Sequence, residues 1–172
     1  MQVSTIAENG IRRAVAPAAT PQGAGTARTG AAHDRNPAPG DSWSVLVVDD
    51  DLQVATVLVR LLRGAGARAV AVATSKAALA ELRKRPFDAV ICDVILPEVD
   101  GTTLYHQVAD EFPELAARFV FVTGWARDQR VLRLLEHTSR PVVRKPFELS
   151  QLLAVVREAA GLPSGAGPAP RR

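Results

Sequence analysis

Four kinds of reactive group stand at separated points of the chain. They are the acidic run Asp49-Asp50-Asp51, a lone acid at Asp93, a hydroxyl at Thr123 ahead of Gly124, and an ammonium at Lys145 ahead of Pro146. Carboxylates crowded into one place repel one another unless something positive stands among them. A hard divalent cation with oxygen ligands meets that need, and magnesium commonly takes one or two carboxylates together with phosphate oxygens and water. A lysine and a threonine beside such an ion supply a positive charge and a donor. Both suit a phosphoryl group, whose negative charge is spread over several oxygens. A carboxylate can itself be the nucleophile and carry the group as an aspartyl phosphate. The set is therefore coherent for phosphoryl transfer onto an aspartate, provided the fold gathers its members.

The elements that must gather them follow from hydrophobic pattern. Ser44–Val48 is a short Val/Leu run ending in acids, the pattern of a buried parallel strand. Val54, Leu58, Leu61, Leu62 and Ala65 then line one face of a helix, which Gly64 and Gly66 end. Arg68–Ala73 is a weaker strand. Ser75 is placed as the N-cap of a helix with Ala78, Leu79 and Leu82 inward, closed by Pro86. Phe87–Cys92 is a third strand, and a helix carrying Tyr105, Val108, Ala109 and Phe112 stops at Pro113. Arg118–Val122 is a fourth strand and Ala126–His137 a shorter helix with Val131, Leu134 and Leu135 inward. Pro141–Arg144 is a fifth strand, and Leu149, Leu152, Leu153, Val156 and Ala160 mark a last helix. Five β–α units imply a doubly wound α/β domain, a parallel sheet covered on both faces. In such a sheet ligands sit beyond the carboxyl ends of the strands. Asp49–Asp51, Asp93, Thr123 and Lys145 all fall at those ends.

Each residue alone has a plainer reading. Acids after a strand often only cap the next helix, which is the role assigned to Asp51. A lone Asp is often a loop acid, a lone Thr ordinary strand or turn chemistry, and a lone Lys a surface charge. Only their joint placement at the ends of strands one, three, four and five points to a site.

Composition bounds the rest. Of the 172 residues, 47% are hydrophobic and 23% charged, enough for one ordinary core. Aromatics at 5% leave that core to Val, Leu, Ile and Ala. The single cysteine, Cys92, excludes an intramolecular disulfide and a multi-cysteine zinc site, and is read as an inert buried thiol. No apolar run reaches membrane-spanning length, and no secretory leader is apparent. Residues 1–43 and 163–172, rich in Ala, Gly and Pro, are read as disordered, the first a tail or linker with at most a helical turn near Glu8–Val15 and the second a tail. The folded unit is expected at 44–162. It holds 15 basic and 15 acidic residues, so the net charge of +3 resides in the fringes and gives little support to nucleic-acid binding. His33, His106 and His137 lack metal-ligand spacing, and Gly64-Ala65-Gly66 follows a helix, so it is no phosphate-binding turn. Arg127, Arg130 and Arg133 read as a solvated helix face that could also dock an acidic partner.

Residues 44–162 resemble the receiver domain of bacterial two-component response regulators. The resemblance rests on Val47-Val48-Asp49-Asp50, on Cys92-Asp93 followed by Leu96-Pro97-Glu98-Val99-Asp100-Gly101, on Val122-Thr123-Gly124 and on Lys145-Pro146-Phe147. It implies a flavodoxin-like (βα)5 fold with strand order 2-1-3-4-5. It makes Asp93 the phosphoacceptor and gives Mg2+ to Asp49, Asp50, Asp93 and the Ile95 main-chain carbonyl. Thr123 would contact the phosphoryl group, Lys145 would pair with it, and the Lys145–Pro146 peptide would be cis. The implied donor is a histidine kinase or a histidine phosphotransfer protein in the cytoplasm. The implied output is a changed protein-binding surface on a downstream protein target, with a phosphorylation-dependent homodimer as a further expected assembly. No direct DNA contact, no membrane partner and no enzymatic activity beyond self-directed phosphoryl transfer are expected.

Three features qualify the resemblance. The position three residues before the lysine, where the family often has Tyr or Phe as a switch, is Val142, preceded by Pro141. A short β-branched side chain cannot swing between buried and exposed states in that manner. Trp125 and Ile95, each two residues beyond a pocket residue, are expected to flank the acyl phosphate and shield it from water. After Phe147 only one helix and a short tail follow, which reads as a single-domain receiver or a receiver of hybrid histidine kinase type. Two other classes compete with this reading. One is a receiver-fold binding module working without phosphate, which Val142 favours. The other is a magnesium-dependent phosphatase, which would usually carry a second Asp where Ile95 stands.

Overall fold

The computed structural model describes residues 11–12, 42–124, 129, 131, 133 and 138–162. Its sheet is built from β1 (Ile11–Arg12), β2 (Ser44–Val48), β3 (Arg68–Val72), β4 (Ala89–Asp93), β5 (Phe119–Thr123) and β6 (Val142–Arg144). The helices described from end to end are α1 (Leu52–Gly64), α2 (Ser75–Lys84), α3 (Gly101–Glu111), the single turn α4 (Pro113–Ala116) and α5 (Leu149–Ala159). The strands lie in the order β1-β6-β5-β4-β2-β3. The five from β2 to β6 are mutually parallel, and numbered among themselves they run 2-1-3-4-5, as expected.

Every residue of β2, β4 and β5 is buried, because helices cover both faces of a parallel sheet. The two-residue period of a strand then sorts the side chains. Leu46, Val48, Val90, Cys92, Phe119, Phe121 and Val142 meet Ala78, Leu82, Leu104 and Val108 of α2 and α3 on one face. Val45, Val47, Ala89, Ile91, Val120, Val122 and Val143 meet Leu58, Leu62, Leu152 and Val156 of α1 and α5 on the other. Each fully buried aliphatic contributes roughly 1.5–3 kcal/mol of transfer free energy. These two layers hold the strand ends in place.

Helix boundaries follow local chemistry. Asp51 caps α1, its Oδ1 accepting from the Gln53 and Val54 amides at 2.9 and 3.2 Å, as the sequence suggested. The helix closes in a Schellman turn. The Gly66 amide donates to the Arg63 carbonyl, the Ala67 amide donates to the Leu62 carbonyl, and Gly66 adopts φ +86°. Gly64 is still helical, so Gly66 alone supplies the stop.

Several expectations are corrected. The cap of α2 is Thr74, whose Oγ1 accepts from the Ala77 amide at 3.2 Å, while Ser75 is the first helical residue. Pro113 both ends α3 and opens α4, a turn not anticipated, because proline is well suited to a first helical position. β4 and β5 each run one residue further, through Asp93 and Thr123, since those residues pair with Val122 and Arg144. The lead segment is not structureless throughout. Ile11–Arg12 form a strand, not a helical turn, and pair antiparallel with the edge that β6 would otherwise leave open. Of the expected helix Ala126–His137, Gln129, Val131 and Arg133 are helical and Val131 is buried. Its other residues lie outside the described residues, as do Trp125, Arg127, Arg130, His33 and His137.

Candidate functional site

The site is assembled where four parallel strands end. Asp49 directly follows β2, and its amide donates to the Val72 carbonyl of β3 at 3.1 Å, which fixes the backbone at the sheet rim. Its side chain is nearly enclosed, at 2% residue exposure. One carboxylate oxygen accepts from the Asp51 amide at 2.9 Å and the other from Lys145 Nζ at 2.8 Å. Asp50, next in sequence, is exposed beside this rim. Three consecutive acids therefore have three different surroundings. One is buried against a cation, one faces solvent, and one caps a helix.

Asp93 is the last residue of β4. Its Oδ1 accepts from the Ile95 amide at 2.9 Å and its Oδ2 from Lys145 Nζ at 2.7 Å. Thr123 ends β5 next to it and is buried, and its carbonyl receives the Lys145 amide at 2.8 Å. Lys145 follows β6 directly, its peptide to Pro146 is cis, and its side chain is about three-quarters covered. Of the sequence-predicted residues, Asp49, Asp93 and Lys145 are joined by direct ion pairs. Thr123 joins them through the backbone, and Ile95 through its amide.

The electrostatics follow from that geometry. Burial by itself would lower the Lys145 pKa. Hydrogen bonds and charge from Asp49 and Asp93 together outweigh it, and the ammonium is held above its ordinary value. For Asp49 the balance goes the other way. Burial raises its pKa by more than the Lys145 hydrogen bond, the Lys145 charge and the Asp51 amide lower it, and the nearby Asp93 charge adds to the rise. The two directions agree physically. The ammonium has two carboxylates set against its burial, whereas Asp49, more deeply enclosed, shares one ammonium with a second acid.

The loop from Val94 to Asp100 is tied down at several points. The Val94 amide donates to the Val122 carbonyl at 3.0 Å, the Gly101 amide donates to the Val94 carbonyl at 3.0 Å, and Ser75 Oγ donates to the Val99 carbonyl at 2.8 Å. Ser75 was read from sequence only as a cap. Its tie to a loop 24 positions away leaves no local signature. Gly101 is required by space. A Cβ there would stand 2.2 Å from the Asp93 carbonyl oxygen and 2.9 Å from Cys92 Sγ. Cys92 itself is fully buried and its thiol pKa is driven up by burial first and then by the charges of Asp93, Asp49 and Asp100, so it stays protonated and inert.

Among the described residues no three His, Cys, Asp or Glu side chains are gathered closely enough to cage a metal by themselves. What the rim presents is two carboxylates on a common cation, a third acid in solvent, and a backbone turn at Ile95. That donor set is all oxygen and hard. It suits an ion that keeps several waters and takes only one or two carboxylates from the protein.

Comparison with known proteins adds an independent line. A family model described as the response regulator receiver domain matches residues 45–157. The chain is 29% identical over 119 residues to the transcriptional regulatory protein ZraR of Escherichia coli O157:H7, covering 69% of this chain and 26% of that protein. It is 33% identical over 119 residues to the sensor kinase CckA of Brucella abortus (strain 2308), covering 68% of this chain and 12% of that one. It thus spans about a quarter or less of the length of these curated relatives. A solved structure of a CheY-like response regulator receiver domain protein from Methanospirillum hungatei JF-1 has the same fold, with TM-score 0.64 and 24% identity over 70% of this chain and 95% of that one.

Proposed function

The chain belongs to the response regulator receiver domain family of two-component systems, and from that premise we propose that it is a phosphoacceptor switched by modification of Asp93. The observation that carries this reading is the single ammonium of Lys145 placed 2.7 Å from Asp93 and 2.8 Å from Asp49. A nucleophilic carboxylate needs a nearby positive charge to receive the incoming phosphoryl oxygens, and Lys145 holds that charge ready. In the step, one Asp93 carboxylate oxygen attacks the phosphorus of a phosphohistidine. The P–O bond of the acyl phosphate forms as the P–N bond breaks, and the imidazole leaves with the bonding electron pair. The donor is a histidine kinase or a histidine phosphotransfer protein. The sensor proteins among its relatives support a kinase partner.

Asp49, Asp50, Asp93 and the Ile95 carbonyl are the residues that would hold Mg2+, which when bound offsets the charge of the transferring group. Asp49 is positioned for this by the Asp51 amide, and Asp93 by the Ile95 amide. Thr123 stands at the end of the neighbouring strand to donate to a phosphoryl oxygen. The receiver unit is taken as 44–162. Its chemistry is confined to taking up and losing its own phosphoryl group, and its output is a changed surface for a downstream protein target, without DNA contact. No helix among the described residues is long and apolar enough to cross a membrane, and a cytoplasmic place of action is part of the proposal.

Val142, buried at 3% exposure beneath the strand end, favours one competing reading, a binding module that works without phosphate. Intact mass and amide spectra of the wild type and Asp93→Asn with Mg2+ and acetyl phosphate separate the two. The proposal expects one added phosphoryl group on the wild type and none on the variant, with amide shifts around Thr123 and Lys145. An unmodified wild type under those conditions would overturn it.

A further inference from the structure

Outside the pocket, the feature with the most unused information is the outer edge of β6. The amides of Phe121 and Lys145 bond to the carbonyls of Pro141 and Thr123 across the β5–β6 ladder. Strand alternation therefore turns Pro141, Val143 and Lys145 backbone groups toward β5, and the N–H and C=O of Val142 away from it. Val142 would be left with an open donor and acceptor at the sheet edge. In this structure its partner is Arg12 of β1, with Ile11 opposite Val143. An antiparallel pair in that register sets Val142 against Arg12 as the hydrogen-bonded pair and Val143 against Ile11 as the close, non-bonded pair.

This strand lies outside the family match, which begins at residue 45. β1 and β2 lie four strand spacings apart in the sheet, about 19 Å, and a chain as long as the stretch between them could span about 100 Å when extended. A two-residue strand held by one bonded pair against closure of so long a connection is also readily exchanged.

We infer that the outer edge of β6 is a strand-addition surface, occupied in cis by the chain's own Ile11–Arg12 and open to an extended peptide of the same backbone pattern when that segment lifts. Recognition is by main-chain hydrogen bonds, as in other β-augmentation sites, and the resident segment keeps an exposed edge from pairing indiscriminately. β6 runs without a break into Lys145, so whatever lies on this edge holds the backbone that presents the pocket ammonium. The inference does not depend on Asp93 chemistry.

The test uses the unphosphorylated full chain. In the wild type, a cross-strand Hα–Hα NOE between Ile11 and Val143 is expected, together with slow exchange of the Val142 amide. Arg12→Ala, which keeps the backbone donor, should retain both. Arg12→Pro removes that donor and puts a ring in the path of the partner strand. It should lose both while the Val45–Val48 amides stay protected. A peptide of residues Ile6–Val15 added to the Arg12→Pro protein should restore slow exchange at Val142. An absent NOE in the wild type, equal Val142 exchange in wild type and Arg12→Pro, or no effect of the peptide would each overturn the inference. Protection that rises with protein concentration alongside dimer formation would overturn the cis occupant in favour of a second copy.

Discussion

The Lys145 ammonium and the Asp93 carboxylate meet at 2.7 Å although 52 positions separate them in the chain. The contact is possible only because β4 and β6 end at the same rim with β5 between them. It gives the receiver pocket a built-in cation that already neutralises part of the charge of two carboxylates. Removing that cation frees two carboxylates at once.

Lys145→Ala is therefore expected to bind Mg2+ at least several-fold more tightly than the wild type. It should also accept phosphate from acetyl phosphate more slowly, by about 10²–10³ if the ammonium acts as a preorganised charge. Magnesium titration by fluorescence or calorimetry, beside a phosphorylation time course, checks both directions. Weaker magnesium binding in the variant would mean Lys145 supports the metal site and does not compete with it.

The three consecutive acids should separate cleanly. Asp51→Ala removes the α1 cap and is expected to cost about 1 kcal/mol, or roughly 4 °C in Tm, with magnesium affinity unchanged. Asp50→Ala should do the reverse, because its side chain is exposed and caps nothing, while its carboxylate is a proposed ligand. Thermal unfolding and magnesium titration of the two variants decide the assignment.

Gly101→Ala should destabilise the protein by about 1–3 kcal/mol or more, since the new methyl would stand 2.2 Å from the Asp93 carbonyl oxygen. The strain falls on the strand end that carries Asp93, the proposed phosphoacceptor, so phosphorylation should slow as well. Gly64→Ala is the matched control. Nothing lies within 4 Å of a Cβ there, and the helical site should gain up to about 1 kcal/mol. Urea unfolding of the two variants gives both values.

What could be read from sequence and what could not divide along a physical line. The five parallel strands and the gathering of Asp49, Asp93 and Lys145 at one rim were legible, because buried parallel strands announce themselves as Val/Ile/Leu runs and ligands gather at their carboxyl ends; the strand order came only from the family resemblance. Asp51 was legible as a cap because capping is local. Ser75 was not legible as the tie of the Val94–Asp100 loop, since its partner Val99 is 24 positions away and backbone carbonyls have no sequence identity. β1 was not legible either. Two residues carry no periodicity, and only an open edge elsewhere in the fold gives Ile11–Arg12 a reason to extend.

Val142 shares its core layer with Phe119, Phe121 and Val131. Tyr105 lies edge-on to both phenylalanines, with ring centroids 5.4 and 5.5 Å away. That layer is already closed by aromatics contributed from α3 and β5. Val142→Phe should overpack it and cost about 1–3 kcal/mol, measured by urea unfolding. A variant as stable as the wild type would show that the ring turns outward, leaving room for the aromatic rotamer change that valine denies.

Asp49 sets the pH response of the pocket. Its carboxyl pKa is raised in the folded state above the ordinary 3.8, burial being the main cause. A folded protein that binds this proton more tightly than the unfolded chain loses stability as pH rises through the interval between the two pKa values, and regains it on acidification. Ionising Asp49 is thus a cost to the folded state. Asp49→Asn is expected to be at least as stable as the wild type at pH 7 and to lack its share of the stability change above the ordinary carboxylate value, while losing magnesium affinity. Lys145 does not blur the comparison. Its raised pKa keeps it charged throughout that range, and its own contribution is lost only on the alkaline side of its ordinary value, 10.5. Urea unfolding of both proteins across the acidic range gives the difference curve. A variant less stable than the wild type at pH 7 would mean that the pair with Lys145 outweighs the burial of the carboxylate.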